Sequence, residues 1–289
     1  MNALTEPLRA AADRFVRSLR HGSVGPAPQA PQSRQGGCHD WSPRLSARLH
    51  HRAEIEGWLT DNQARLLAEA AAACPPGGQI VEIGSFRGKS TVVLAGAAPT
   101  GATVVAIDPH AGNDRGPNEI DGFAEQAAAD RRMFLANLET AGVGERVRHV
   151  AEYSEQAHSA VEGAIDVLYI DGAHRYQPAR DDIRQWGDRV RDGGVLLIHD
   201  SFSSVGVTSA VARELVLGRR FRYVGRSRSL ASYRADLDGR GLRARAANAA
   251  RQLAQLPWFV RNIGLKVLLR LGLGRLYGRF GRPTPEWPY

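Results

Sequence analysis

The sequence predicts a doubly wound α/β domain: a mostly parallel, seven-stranded sheet with helices on both faces and an antiparallel hairpin at one edge. Three observations carry this expectation. Five short apolar runs recur through the middle of the chain: Gln79–Ile83, Thr103–Ile107, Arg146–Val150, Ile165–Ile170 and Val195–His199. Helical stretches at Gly88–Ala98, Gly122–Thr140, Ser154–Val161 and Pro178–Val190 separate them, which is the alternation of a parallel sheet covered on both faces. Two of the runs stop abruptly, one at Gly84 and one at Asp171, as buried strands do when their carboxyl ends open onto a ligand crevice.

The remaining elements follow in chain order. Leu4, Leu8, Phe15, Val16 and Leu19 lie near helical spacing with arginines between them, predicting a short amphipathic helix. The Pro-, Gly-, Ser- and Gln-rich stretch Gly22–Gly37 reads as a linker. Thr60 with Gln63 three residues on forms a capping box for a helix running to about Ala73, which Pro75-Pro76-Gly77-Gly78 ends. After the fifth strand come a helix, Val207–Leu215, and two close apolar runs, Phe221–Val224 and Ser229–Arg234, predicted to pair antiparallel. Beyond Asp236 the composition shifts. Leu242, Ala246, Ala249, Leu253 and Leu256 make an apolar stripe and Pro257 interrupts it. Along Trp258–Phe280 the basic residues fall on opposite sides of a helical wheel. The chain therefore divides into an N-terminal helix and linker (1–50), an α/β domain (51–235) and a basic helical extension (236–289).

Charge sharpens that division. The chain carries a net charge of +8. Between Gly239 and Tyr289 there are ten Lys and Arg against the single acid Glu286, so this tail holds +9 and the rest sums to −1. A nucleic-acid enzyme lines its working domain with basic charge, so no nucleic-acid partner is expected and the tail reads as an appendage suited to peripheral membrane contact. Two cysteines, Cys38 and Cys74, are too few for a disulfide framework, which points to a reducing, cytoplasmic setting. Cys38-His39-Asp40 lacks a second pair of metal ligands. No run is long and apolar enough to cross a bilayer.

Gly84-Ser85-Phe86-Arg87-Gly88-Lys89-Ser90-Thr91 invites comparison with a phosphate-binding loop, with Leu168–Asp171 as its magnesium-binding strand. That loop needs four residues between its glycines and this one has three; the dinucleotide glycine pattern is missed as well. A phosphotransferase is thus the weaker enzyme alternative. A non-catalytic cofactor-binding module docking through its tail is the non-enzyme one. Asp171-Gly172-Ala173-His174 offers an acid and, three residues on, a base whose ordinary pKa of about 6.5 suits proton transfer at neutral pH.

Glu82-Ile83-Gly84-x-Phe86-x-Gly88-x-Ser90 resembles the first motif of the class I S-adenosylmethionine-dependent methyltransferases, and more narrowly of catechol O-methyltransferase-like and bacterial sugar or secondary-metabolite O-methyltransferases. The resemblance spans about Ile55 to Arg234. It implies a Rossmann-like methyltransferase fold and S-adenosylmethionine as cofactor, held by Glu82, Gly84, Ser85, Phe86, Gly88, Ser90, Asp108, Ser154 and Asp171. Asp108, about twenty residues past the glycine turn, stands where an acid binds ribose hydroxyls, and Ser154 where family members meet the adenine. The resemblance further implies His174 as general base, with Asp171 beside it, acting on a hydroxyl of a small acceptor such as a sugar or a lipid-linked compound. It places a divalent ion, magnesium, on Asp171 and Asp200, although Ser201 stands where the family has an Asn or Asp. Asp181-Asp182 reads as a solvated helix face. The loop His110–Asp121 is a candidate mobile rim, and a homo-oligomer is a possible state.

Overall fold

The computed structural model describes residues 52–112 and 123–273. The N-terminal helix and linker, Cys38 and most of the His110–Asp121 loop lie outside these residues. In chain order the structure runs α1 (Asp61–Ala72), β1 (Gln79–Ile83), α2 (Lys89–Ala97), β2 (Thr103–Ile107), α3 (Ala124–Thr140), β3 (Val147–Val150), β4 (Ile165–Ile170), α4 (Tyr176–Gly187), β5 (Val190–Ile198) and α5 (Val205–Val211). It ends with β6 (Phe221–Ser227), β7 (Leu230–Ala235), α6 (Leu242–Leu253) and α7 (Leu256–Arg270). Among the described residues the sheet has seven strands in the order β3-β2-β1-β4-β5-β7-β6. The first five pair in parallel, and β7 is antiparallel to both neighbours.

The strands are apolar along their length because both faces are buried. Val81, Ile83, Val105, Ile107, Leu168, Ile170, Leu196 and Ile198 point to one core, shared with Ala179, Ile183 and Trp186 of α4 and Val207 and Val211 of α5. The alternate residues Ile80, Val104, Ala106, Val167, Tyr169 and Leu197 enter a second core with α1, α2 and Phe134 and Leu138 of α3. The period of two within each strand is what divides one sheet between two cores.

Two expectations need correction. The stretch Ser154–Val161 forms only a short 3₁₀ turn, Ala157–Ala160. Strand β5 begins at Val190, five residues early, because Val190 already pairs with Ile165 across an irregularity in the ladder. The extension belongs to the same compact unit as the sheet. Its helix α6 docks by amides rather than by its apolar stripe. Asn248 accepts from the backbone N–H of Tyr223 (2.7 Å) and donates to the carbonyl of Phe221 (3.2 Å). It thereby satisfies open backbone groups of the edge strand β6. Gln252 donates to the carbonyl of Leu215, and Asn262 of α7 to that of Phe202, both at 3.2 Å. The guanidinium of Arg226 lies 3.8 Å from the ring centroid of Trp258. Pro257 sits in the first turn of α7, where its missing N–H costs nothing.

Candidate active site

The chain leaves β1, builds β2 and β3 on one side, then crosses back to add β4 on the other. The crevice at this switch point lies between the carboxyl ends of β1 and β4. Gly84 is the first residue past β1. Its φ is +83°, and a Cβ there would stand 2.2 Å from the carbonyl oxygen of Asp171. The N–H of Asp171 donates to the carbonyl of Ile83 at 2.8 Å, so the two strand ends are locked together. Gly88 begins α2 with φ +84°.

Glu82 corrects the sequence reading. It is fully buried, does not line the crevice, and accepts hydrogen bonds from the hydroxyls of Ser90 and Thr91. It fixes the start of α2 from beneath. Burial pushes its carboxyl up to about 8, against the opposing hydrogen bonds from Ser90 and Thr91, with the charges of Asp171 and Asp108 adding to the rise. An acid whose folded pKa exceeds its unfolded value binds protons more tightly when folded, so stability falls as pH climbs from about 4.5 towards about 8. Glu82→Gln should flatten that slope, which for one such group approaches about 1.4 kcal/mol per pH unit. Urea midpoints of both proteins across this range check it; parallel curves would show that Glu82 is ionised when folded.

Asp108 ends β2 with both oxygens engaged. Oδ2 accepts from the N–H groups of Ser85 (2.9 Å) and Phe86 (2.7 Å), and Oδ1 from that of His110 (2.8 Å). The His110 ring donates from Nε2 to the carbonyl of Phe86 at 2.8 Å. Two of the loop amides that a phosphate-binding loop would offer to a phosphate, those of Ser85 and Phe86, are thus spent on Asp108, which counts against the phosphotransferase alternative. Ser85 is buried and its Oγ has no hydrogen-bond partner. Ser154 donates to Oδ1 of Asp182. Asp182 is itself buried, contrary to the solvated face expected for Asp181-Asp182. Burial pushes its carboxyl up to about 7, opposed by the Ser154 hydroxyl and assisted by Asp181 and Glu155.

At the other end Asp171, His174, His199 and Asp200 converge. His174 Nε2 lies 2.5 Å from Asp200 Oδ2. Burial works against its charge, but the contact with Asp200 and the charges of Asp200 and Asp171 outweigh this and raise its pKa. His199 Nδ1 lies 3.2 Å from Asp171 Oδ1 and 3.7 Å from Asp200 Oδ2. These carboxylates overcome burial and favour protonation of His199. Gln63 acts in the opposite sense. Its Oε1 accepts from the N–H and hydroxyl of Thr60, so its NH₂ faces His199 Nε2 at 3.2 Å and opposes a proton there. Asp200 is held well below the usual carboxylate range; burial opposes this, and His199 and His174 prevail. Tyr169, fully buried, donates its hydroxyl to Asp171 Oδ2 at 2.7 Å.

Ligand atoms of Asp171, His174 and Asp200 lie within 4.8 Å of one another, and Asp200 Oδ1 is buried without a hydrogen-bond partner. This donor set fits a divalent ion: two carboxylates, with an imidazole nitrogen within reach. Ser201 takes no part. It is fully buried, and its hydroxyl turns back to donate to the carbonyl of Ile198 at 3.0 Å.

One cavity of about 770 Å³ joins both ends of the site, lined by Gly84, Ser85, Phe86, Ser90, Asp108 and Ser154 on one side and by Asp171, His174, His199 and Asp200 on the other. Two of its walls were not anticipated. Glu56–Leu59 forms one, with Trp58 stacked on Phe86 at 5.7 Å between ring centroids. Helix α7 forms the other through Ile263, Lys266, Val267 and Arg270.

Residues 81–201 match the model of a methyltransferase domain family. Among solved structures, the chain is similar to an O-methyltransferase from Bacillus cereus solved with S-adenosylhomocysteine (17% identity, 66% of this chain and 88% of that one, TM-score 0.44). It is also similar to the O-methyltransferase TomG from Streptomyces achromogenes, solved with S-adenosylmethionine (18%, 66% and 87%, TM-score 0.43). A third similar structure is an S-adenosylmethionine-dependent O-methyltransferase from Thermotoga maritima (14%, 67% and 72%, TM-score 0.47). The glycine turn at the switch point of the doubly wound sheet falls within the matched span, so residues 81–201 are similar to a methyltransferase domain.

Proposed function

We propose that the protein is an S-adenosylmethionine-dependent O-methyltransferase acting on a hydroxyl of a small acceptor such as a sugar or a lipid-linked compound. The observation that carries this reading is the single cavity joining the Gly84 turn to the Asp171–His174–Asp200 cluster. Gly84, Ser85, Phe86 and Ser90 would hold the methionyl part of the cofactor, with the unpartnered Ser85 Oγ as one donor. Asp108 keeps one acceptor site on Oδ1 for a ribose hydroxyl while it braces the loop, and Ser154 with Asp182 stands where the adenine would lie. When bound, the cofactor supplies an activated methyl group and a divalent ion on Asp171 and Asp200 supplies polarisation of the acceptor oxygen.

The chain's own residues do the rest. The cavity walls align the hydroxyl by proximity and keep water from it. His174 takes its proton at Nδ1, the ring nitrogen without a partner, while Nε2–H donates to Asp200, which stabilises the imidazolium formed. Tyr169 and His199 fix the Asp171 carboxylate from behind. Calorimetry with S-adenosylhomocysteine tests the cofactor, and absence of binding would reject the reading. Turnover with hydroxylated acceptors and labelled cofactor tests the base: His174→Ala should lower it about 10²–10⁴-fold while S-adenosylhomocysteine affinity stays near wild type. Undiminished turnover would remove His174 from the chemistry.

A further inference from the structure

The extension contributes to the acceptor end of the cavity, and its outer surface is unusual. On α6, Leu242 and Leu253 are 78% and 50% exposed, and on α7 the row Leu256, Val260, Val267 and Leu271 is 43%, 65%, 51% and 66% exposed. Leu242, Ala246, Ala249, Leu253 and Leu256 follow helical spacing, as do Leu256, Val260, Gly264, Val267 and Leu271, so the two apolar rows meet at Leu256. The α7 row is continuous with the cavity, because Val267 belongs to both and Ile263 beside it lines the wall. Exposed Arg243 and Arg261 flank the rows, and residues 239–273 contain no acid. Within the wall, Lys266 donates to the carbonyl of Ser203 at 3.0 Å, and Arg270 lies one turn further along α7.

We propose that α6 and α7 rest on an anionic lipid surface and that the acceptor is an amphiphile of that surface. Its acidic head would enter between Lys266 and Arg270, and its chain would leave along Val267 towards Leu271. Apolar rows on two helices whose charged residues are all cations match an anionic interface. A second copy of the same face would set cation against cation. The acceptor class rests on the methyltransferase reading; the lipid docking does not.

The test uses the full chain with S-adenosylhomocysteine. It should float with vesicles of phosphatidylcholine and phosphatidylglycerol and stay behind with phosphatidylcholine alone. Val260→Asp/Leu271→Asp should lower the floated fraction about tenfold or more while retaining S-adenosylhomocysteine affinity, which shows the fold intact. Lys266→Met should weaken binding of dodecyl phosphate about tenfold and leave that of dodecyl maltoside unchanged, as loss of one charge-assisted contact predicts. No flotation, or equal flotation of the double variant, overturns the docking. So does a concentration-dependent dimer that the double variant abolishes in the absence of flotation, which would assign the rows to a second copy. Unchanged dodecyl phosphate affinity in Lys266→Met overturns the acceptor class. Failure to bind S-adenosylhomocysteine sinks the methyltransferase reading instead, and flotation reports independently of it.

Discussion

Gly84→Ala is expected to destabilise the domain by roughly 3 kcal/mol or more and to abolish binding of S-adenosylhomocysteine. Two costs combine. At φ +83° any side chain is strained, and the new Cβ would lie 2.2 Å from the Asp171 carbonyl oxygen and 2.6 Å from its carbon. Both are backbone atoms, so no rotamer change relieves the contact, and the ends of β1 and β4 must part. That parting breaks the bond from the Asp171 N–H to the Ile83 carbonyl and shifts the glycine turn that would face the cofactor. Gly101 is the control. It has the same φ of +83°, but its nearest contact is 3.6 Å away, so Gly101→Ala carries only the conformational cost of about 1 kcal/mol. Urea unfolding of both variants with equal slopes isolates the clash. Equal midpoints would mean that the strand ends have slack.

The five parallel strands were legible because a strand buried on both faces leaves an apolar run with sharp ends, and Gly84 and Asp171 mark such ends. Other features had signals that went unread. Asp182 shares a helix face with Ala179, Ile183 and Trp186, so helical spacing alone places it inside, whereas its neighbour Asp181 is a hundred degrees away. Gln63 sits one turn before Leu67 on the buried face of α1; its capping role hid its reach to His199. Ser201 was read against the family's Asn or Asp, but its orientation back to Ile198 is a matter of tertiary structure. The extension was the hardest to place. A search for apolar stripes finds Leu242 to Leu256, while the docking face of α6 is polar, because an edge strand with open N–H and C=O groups is better met by Asn248 than by leucine. Which tail closes which edge is not written in local spacing, and so Lys266 and Arg270 could not be assigned to the cavity beforehand.

Asp200→Asn should move the acid limb of turnover to lower pH and weaken divalent-ion binding together. Asp200 is the chief group holding His174 protonated against burial, so without its charge burial prevails and the imidazole pKa falls below its raised value. A base with a raised pKa is fully available only above that pKa, so in metal-free wild type activity rises with pH through a midpoint above 6.5. The variant's midpoint falls, while its maximum drops because the imidazolium loses its stabilising partner. Stability follows the same pair with opposite limits. The depressed Asp200 contributes stability that is lost as pH falls through its folded pKa, and the raised His174 contributes stability that is lost as pH rises through its own. Asp200→Asn should therefore be most destabilising between those limits, by about 3–5 kcal/mol if His174 and His199 stay charged and less as they give up protons. Histidine proton resonances titrated in the presence of EDTA read the midpoint directly, and magnesium or manganese calorimetry reads the ion. A midpoint that stays put when Asp200 loses its charge would mean that Asp171 governs His174, and the roles of the two carboxylates would exchange.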